Sequence, residues 1–587
     1  MKIREIYVEN YRKLDGLKVD FSEDINYIVG KNNIGKTSLI ELMAHLIENK
    51  KFNLDDFCDP NKKIKITVTI KLGDSEIGIF DDNFNPQNKN EVKLIFVQEA
   101  ENTDIVLINF YSKSEISKKS LRYINSIFTS SNIRPLQEKD LILDTGRFNF
   151  IPKIIEKYAK CNGLNNKNIN ESEEVRKLIN YINDSLNKID IITSNDLHAS
   201  FQGDFLENVK RSLTIGTKDT PFNELGFGTK FSSIIPLNIL NRIMYWYNSP
   251  NFERHLLRVG DKNVLTIFLF FDEPETHLHP NLQVKIINFL KSISTGKNSE
   301  FNSLLKAFFN IDYIDSQIFI VTHSPNILDS DYHHICRMYN DKGNVRAMSG
   351  SSLHLSIKES KQFNRQFINI ARSYFADKVI LVEGDTESLA IPEFAKKMGC
   401  SLPDHNVEII RADGFASLEI LYKLFNFLKI KPVGIIDNDK GKHHDYIRKN
   451  SYCILETNEN DFEADCFKSM TLKDKNRYLF NFINAGLIEK FVNKDCPYLK
   501  FWNKFIADDK LKKEVWEIRD DKKVYQKLDD LLSKEDSTFI NNIHNWNDCI
   551  YKFLKFKSII NGQIIAESLS KVPTVYEEAI KDVCSNG

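Results

Sequence analysis

Residues 25–48 read INYIVGKNNIGKTSLIELMAHLIE, and this stretch decides the fold. The apolar run up to Val29 reads as a buried strand, Gly30 to Ser38 match GxxxxGK[ST], and the apolar spacing from Leu39 onward reads as a helix. A glycine-rich turn between a strand and a helix N-terminus is the context a phosphate needs. Gly30 and Gly35 permit the tight turn, loop N–H groups and the helix N-terminus face phosphate oxygens, Lys36 reaches the outer phosphates, and Thr37 can ligate Mg²⁺. The candidate ATP-binding residues here are therefore Gly30, Asn33, Gly35, Lys36, Thr37 and Ser38.

Further along, LTIFLFFDEPE (265–275) ends an apolar strand in two acids. Asp272 would hold Mg²⁺ through water and Glu273 would polarise the attacking water, because phosphoryl transfer needs positioned water and neutralised charge. QIFIVTHSP (317–325) ends a third strand in His323, a candidate γ-phosphate sensor, although a lone histidine is more often structural. In ELGFGTKFSS (224–233), Gly226 and Gly228 precede an apolar helical run and could offer backbone donors to a γ-phosphate on another subunit. An ordinary loop before a helix would look the same.

In this order the four stretches resemble the Walker A, signature, Walker B with D-loop, and H-loop of ABC-type ATPases, particularly the SMC-like branch that acts on DNA. The resemblance covers about the first 330 residues and departs at the signature, where LGFGTK replaces the usual Ser-Gly-Gly-Gln. Gln98 is a candidate for the Q-loop. Between the strand runs, residues 112–212 turn helical in period (LRYINSIF, FIPKIIEKYAK, VRKLINYINDSLNKI), so the pattern predicts an inserted helical region. The resemblance implies that this insertion dimerises the chain. The expected order is an ATPase domain over 1–111 and 213–330, the insertion at 112–212, and a linker at 331–371.

A second α/β pattern follows. VILVEGDTESLAIPEFAKK (379–397) places Glu383 at a strand end and Glu387 one helical turn later, VGIIDNDKG (433–441) ends a strand in Asp437 and Asp439, and NDFEAD (460–465) offers Asp461 and Glu463. Six acids on three segments suit hard divalent cations, which take oxygen ligands; two such ions can activate water and stabilise the leaving oxygen of a phosphodiester. Each pair alone could be a solvated cap or turn. The arrangement resembles a Toprim domain. Together with the preceding ATPase and ARSYFADKVILVEGDTE (371–387), it is similar to the OLD (overcoming lysogenization defect) family, in a layout like that of the Gabija anti-phage nuclease subunit.

That resemblance implies an α/β chain with a Toprim domain at 372–466 and a mostly helical region at 467–587 completing the nuclease. It implies that the six acids bind Mg²⁺ or Mn²⁺, with Glu383, Asp437 and Asp439 catalytic, and that Asp413 and Gly414 flank the site. A catalytic lysine is expected near YKFLKFKSIINGQ, where Lys557 is preferred to Lys555, although a solvated helix face is an equal reading. It further implies double-stranded DNA as substrate, a homodimer or larger, a helicase-like partner protein, and a role in anti-phage defence.

Composition narrows the alternatives. With 587 residues, 42% hydrophobic and 27% charged, the chain is long enough for roughly three or four domains of about 100–200 residues each. Net charge is −1, so any DNA contact must use a local basic patch. The nine cysteines form no CxxC pair, which argues against a disulfide framework and a zinc ribbon and favours a reducing cytoplasm. Apolar runs such as VLTIFLFF fall short of the roughly 20 residues of a membrane span. His333/His334 and His443/His444 lack ligand spacing, and His277 and His279 are assigned no role. The expected activity is an ATP-binding, divalent-metal-dependent DNA endonuclease controlled by nucleotide state. The alternative is a nucleotide-switched DNA-binding or repair scaffold without cleavage; a primase or topoisomerase is disfavoured by the lack of a primase zinc motif or a tyrosine nucleophile context.

Overall fold

The computed structural model describes residues 1–585 except 82, 131–149, 162–172, 194–196, 202–212, 251, 277, 439–446, 448–449, 451, 488–549 and 557–558. The chain divides into two compact units, Met1–His354 and Leu355–Gly587.

The first unit has two main sheets. Lys18–Asp20, Lys2–Glu9, Ile64–Lys71, Glu91–Gln98 and Val106–Asn109 pair in that order as an antiparallel sheet. In the second sheet, Ile25–Gly30 lies between Tyr313–Val321 and Ile335–Asp341, parallel to both, and Lys262–Asp272 runs parallel to Tyr313–Val321. Strands buried on both faces read as continuous apolar runs, which is why INYIVG and LTIFLFF show no alternation. Helix Lys36–Glu48 follows the glycine turn. Its Leu39, Leu42, Met43 and Leu46 join Ile6, Val68 and Phe96 of the first sheet and Phe268 and Phe270 of the second in one core. Full burial of each large apolar side chain contributes about 1.5–3 kcal/mol, so this core fixes the helix N-terminus against the sheet.

Two expectations need correction here. Residues 335–349, expected as linker, form the strands Ile335–Asp341 and Asn344–Ser349, which pair as a hairpin on the second sheet. Cys336, Arg337 and Met338 are buried there, and Arg337 between the two apolar residues hides the strand in a polar-looking sequence. Within the expected helical insertion, Asn125–Thr129 is a strand parallel to Lys262–Asp272, and His198–Phe201 pairs with Leu213–Gly216. Helices Phe150–Cys161 and Glu173–Thr193 account for the helical period.

In the second unit, Val407–Arg411, Lys378–Val382, Lys431–Ile436 and Ile454–Glu456 form a parallel four-stranded sheet in that order. The register pairs Val382 with Arg411 and Ile436 with Glu456, so residues 383, 412, 437 and 457 leave the sheet at one edge. Helix Ile357–Ile370, also within the expected linker, opens on a Ser356/Glu359 capping box and belongs to this unit. Helices Ile559–Ser568 and Thr574–Cys584 share a core with Ile380, Val382, Phe394 and Val433. Gly562 is required by close approach: a Cβ there would stand 2.0 Å from the Thr386 carbonyl oxygen. Cys400 and Cys584 are joined by a disulfide across 184 residues, a pairing that the single spacing of the cysteines conceals. Among the described residues no helix is long and apolar enough to cross a membrane.

Two candidate sites at strand ends

The first site is built on the turn after Ile25–Gly30. Gly30 has φ 144°, and a Cβ there would meet the Met338 carbonyl oxygen at 2.4 Å; Gly35 has φ 107° and caps the helix that begins at Lys36. Only glycine takes both positions without strain. Lys36 is buried and folds back to donate to the carbonyls of Gly30 (2.9 Å) and Lys31 (2.8 Å). Burial pulls its pKa down to about 8, against the opposing pull of Glu273 and Asp272, with Lys13 adding to the depression. Bound phosphate would restore the charged form.

Thr37 Oγ1 donates to Asp272, 3.0 and 3.2 Å from its two oxygens, so the turn and the Lys262–Asp272 strand end meet in a pair of oxygen donors that could hold a divalent cation. Burial raises the Asp272 pKa, opposed by the Thr37 hydrogen bond and reinforced by Glu273 and Glu41. Glu273 has φ 49° and its N–H donates to the Val321 carbonyl at 2.9 Å, which turns the chain out of the sheet. His323 Nε2 lies 3.6 Å from Glu273 Oε1. Burial, then Lys36, lowers the His323 pKa, so the neutral ring is favoured. Glu273 and His323 line a cavity of about 600 Å³, together with Asn33, Gly35, Lys36, Thr37 and Ser38.

Three residues here escape sequence reasoning or revise it. Lys13 lines the same cavity and donates to Asn33 Oδ1 at 2.8 Å, a contact that no local motif announces. Glu275 Oε1 accepts from Thr322 Oγ1 and the His323 N–H, each at 2.7 Å, and so sets the height of His323. Gln98 spends its amide on the backbone of Phe52 and Ala100, which corrects its candidacy for the Q-loop. Gly226 and Gly228 stand at the start of helix Phe227–Tyr247, outside this cavity's lining. His279 caps helix Pro280–Ser294, and His277 lies outside the described residues.

The second site lies at the parallel edge of the Leu355–Gly587 unit. Glu383 follows strand Lys378–Val382, and its Oε1 accepts from the Asp437 N–H at 3.3 Å. Asp437 Oδ1 accepts from the Phe462 N–H at 3.1 Å, which draws the NDFEAD segment onto the same edge. Asp461 caps helix Phe462–Ser469 through the Ala464 N–H, and its other oxygen lies 3.2 Å from Lys555 Nζ. Burial, then Glu383, Asp461 and Glu463, push the Asp437 pKa up to about 7. Glu387 is buried and accepts from the Gly384 N–H at 2.8 Å; burial, then Asp437, push it up to about 8. Asp439, Lys557, His443 and His444 lie outside the described residues.

The donors fit a hard divalent cation: they are oxygens, they come from three segments, and burial and then like charge raise the pKa of two of them. No three of these carboxylates among the described residues bring one oxygen each within 4.8 Å of one another, so an ion would draw them inward. Arg411, which sequence reading passed over, joins Asp385 to Asp413 Oδ1 (2.5 Å to the latter) beside this edge. Asp413 (φ 56°) and Gly414 (φ 105°) form the turn into helix Phe415–Phe427.

Comparison with known proteins bears on both units. A family model described as AAA ATPase domain matches residues 1–142 and 148–328. One described as overcoming lysogenization defect protein-like, TOPRIM domain, matches residues 374–439. The chain is 23% identical over 518 residues to "Endonuclease GajA" of Bacillus cereus (strain HuB5-5), covering 72% of this chain and 71% of that protein. It is 22% identical over 492 residues to "Old nuclease" of Escherichia phage P2, covering 75% and 77%. A solved Smc head bound to the C-terminal winged-helix domain of ScpA aligns at TM-score 0.34 and 12% identity, over 62% of this chain and 100% of that one.

Proposed function

This chain belongs to the AAA ATPase domain family and carries an OLD-like Toprim domain, and from that premise we propose that it is an OLD-type nuclease of anti-phage defence, cutting double-stranded DNA with divalent metal under the control of bound ATP. The observation that carries the reading is the gathering of Glu383, Glu387, Asp437, Asp461 and Glu463 at one sheet edge, where burial and like charge raise two of them to about 7 and 8. Relatives named as nucleases over more than two thirds of their length support it.

Glu383, Asp437 and Glu463, with Asp439 and Asp461, would hold Mg²⁺ or Mn²⁺. The ions would supply a nucleophilic water and offset charge on the leaving oxygen. The protein's part is positional. Asp437 is fixed by the Phe462 N–H, Glu383 by the Asp437 N–H, and Glu387 pins Gly384 and so the turn that presents Glu383. Lys555 stands beside Lys557 as a candidate for the catalytic lysine, because its ammonium lies 3.2 Å from Asp461 and can reach a phosphate held at the same edge.

At the other site Lys36 and Thr37 would bind the outer phosphates and Mg²⁺, Asp272 would hold the ion through water, and Glu273, steadied beside His323, would orient the attacking water. Gly226 and Gly228 would complete a γ-phosphate site from a second copy, so the active form is a homodimer or larger; a helicase-like partner protein belongs to the same reading. Nucleotide state then governs access to the acid edge.

The test is direct. Purified protein is incubated with supercoiled and linear DNA, with Mg²⁺ or Mn²⁺, with and without ATP. Cleavage that needs metal, stops with EDTA and disappears in Glu383→Ala supports the reading. Cleavage at the parent rate in Glu383→Ala would overturn it: the activity would then not belong to the acid edge, and if it separated from the chain as a contaminant, a non-cleaving scaffold would be the better reading.

A further inference from the structure

Helix Asp385–Lys397 carries Glu387 in its first turn; past its other end lies a cluster of a different chemistry. Cys400, His405 and Cys584 each bring one donor atom within 4.8 Å of the others, and all three are half-buried. Cys400 and His405 share the turn after the helix, while Cys584 comes from the end of helix Thr574–Cys584. The His405 N–H donates to the Leu402 carbonyl at 3.2 Å, which curls this turn so that the imidazole stands beside the two sulfurs. No hydrogen bond to that ring is found among the described residues. A disulfide uses two of these residues and leaves the imidazole without a task.

We propose that, when the sulfurs are thiols, Cys400, His405 and Cys584 form a zinc-class metal site with water as the fourth ligand. Two thiolates and one neutral imidazole are the N/S donor set that zinc takes in tetrahedral geometry, unlike the oxygen ligands of the acid edge. Sulfurs around such an ion stand roughly 3.5–3.8 Å apart, given Zn–S bonds of about 2.3 Å. The Cα separation of 6.4 Å is toward the wide end of what a disulfide spans, so the sulfurs can part around an ion with small side-chain turns. A cavity of about 390 Å³ lined by Pro392, Lys396, Gly399, Cys400 and Pro403 gives an entry path. The two states interconvert in balance. A dithiol reductant gives up two electrons and two protons, becoming a disulfide and leaving Cys400 and Cys584 as thiols; zinc then forms two Zn–S bonds and displaces both thiol protons to solvent.

The site pins helix Thr574–Cys584, whose Tyr576, Ile580 and Val583 are fully buried in the core of this unit, to the turn that closes the Glu387-bearing helix. Metal there supports the acid edge without touching it.

The full chain, purified with a phosphine reductant and no chelator, is assayed for zinc by atomic emission and reloaded with Co²⁺. The expected result is about one zinc per chain held by sulfur, and a sulfur-to-cobalt charge-transfer band that a carboxylate site cannot produce. Cys584→Ser should lose most of that band, and His405→Ala and Cys584→Ser should each weaken the metal tenfold or more. His405→Ala is the decisive variant, since a disulfide does not need His405 and the variant keeps its fold under oxidising conditions. Absence of the cobalt band in reduced parent protein, or cobalt bound by His405→Ala as tightly as by the parent, would overturn the proposal and leave the pair as a disulfide alone.

Discussion

At the end of strand Ile25–Gly30 the ionisable group most disturbed by burial is a cation, Lys36, lowered to about 8; at the end of Lys378–Val382 the disturbed groups are carboxylates, raised to about 7 and 8. Both edges belong to parallel strands and both are fed by a helix N-terminus. The difference lies in what each edge lacks. The first opposes acids to its lysine and still leaves the ammonium short of negative charge, which an anion supplies. The second stacks acids on acids, with Lys555 as its near cation, and so calls for metal. Opposite ligands are thus written into two similar frameworks by the sign of the buried charge.

The largest effect should come from removing that sign at the second edge. Asp437→Ala or Glu383→Ala should lower DNA cleavage by on the order of 10²-fold or more, since even groups that only support a metal ligand cost about 10–100-fold, while nucleotide binding stays at the parent value. Gel assays and fluorescent-nucleotide titration check the two halves. Joint loss of both activities would break the comparison.

Next, Lys36→Ala should weaken ATP by about 10–100-fold, the loss of a charge-assisted hydrogen bond of roughly 1.5–3 kcal/mol, and leave metal binding at the acid edge unchanged. Calorimetry with ATP and with Mn²⁺ reads both.

Asp329 sharpens the contrast, because it is a carboxylate with cations around it. Burial alone would raise its pKa, but hydrogen bonds and charge from His334 and Lys291 hold it down to about 2, from 3.8. A depressed carboxylate contributes stability that is fully present above its unfolded pKa and is lost as pH falls through the folded value. Asp329→Asn should therefore cost on the order of 2 kcal/mol at neutral pH, with the difference from the parent shrinking between pH 4 and 2. Urea unfolding across that range measures it; a difference that does not vary with pH would contradict the assignment.

The smallest effect concerns Tyr576, which is fully buried against Phe394 and Phe462 with no hydrogen-bond partner for its hydroxyl among the described residues. Removing an unpaired buried hydroxyl is neutral or stabilising, so Tyr576→Phe should change stability by between 0 and about +1 kcal/mol. A clear loss by thermal unfolding would place a partner on that oxygen.

Both edges were legible in the sequence because their chemistry is local. GKNNIGKTS, FLFFDEPE, VILVEGD and VGIID each carry a strand, its end and its charged group within a dozen residues. The architecture of an ATPase head followed by a Toprim unit followed from their order, and the matching family models bear it out. What stayed hidden was non-local. Lys13 reaches Asn33 only because a strand from the other sheet ends beside the phosphate turn, and Cys400 finds Cys584 across 184 residues. Strands Ile335–Asp341 and Asn344–Ser349 read as linker because Arg337 and the exposed Asp341 to Asn344 turn break the apolar run that marks a buried strand. The nearness of Lys555 to Asp461 was hidden for a related reason: 94 residues separate them in the chain, and only a fold brings them together.

The central claim is that the raised carboxylates at the second edge are a metal site, and metal binding tests it without relying on activity. Electron paramagnetic resonance of Mn²⁺ added to nucleotide-free protein should show ions bound by the parent and by Lys36→Ala alike, and free in Asp437→Asn. Equal binding by the parent and Asp437→Asn would contradict it.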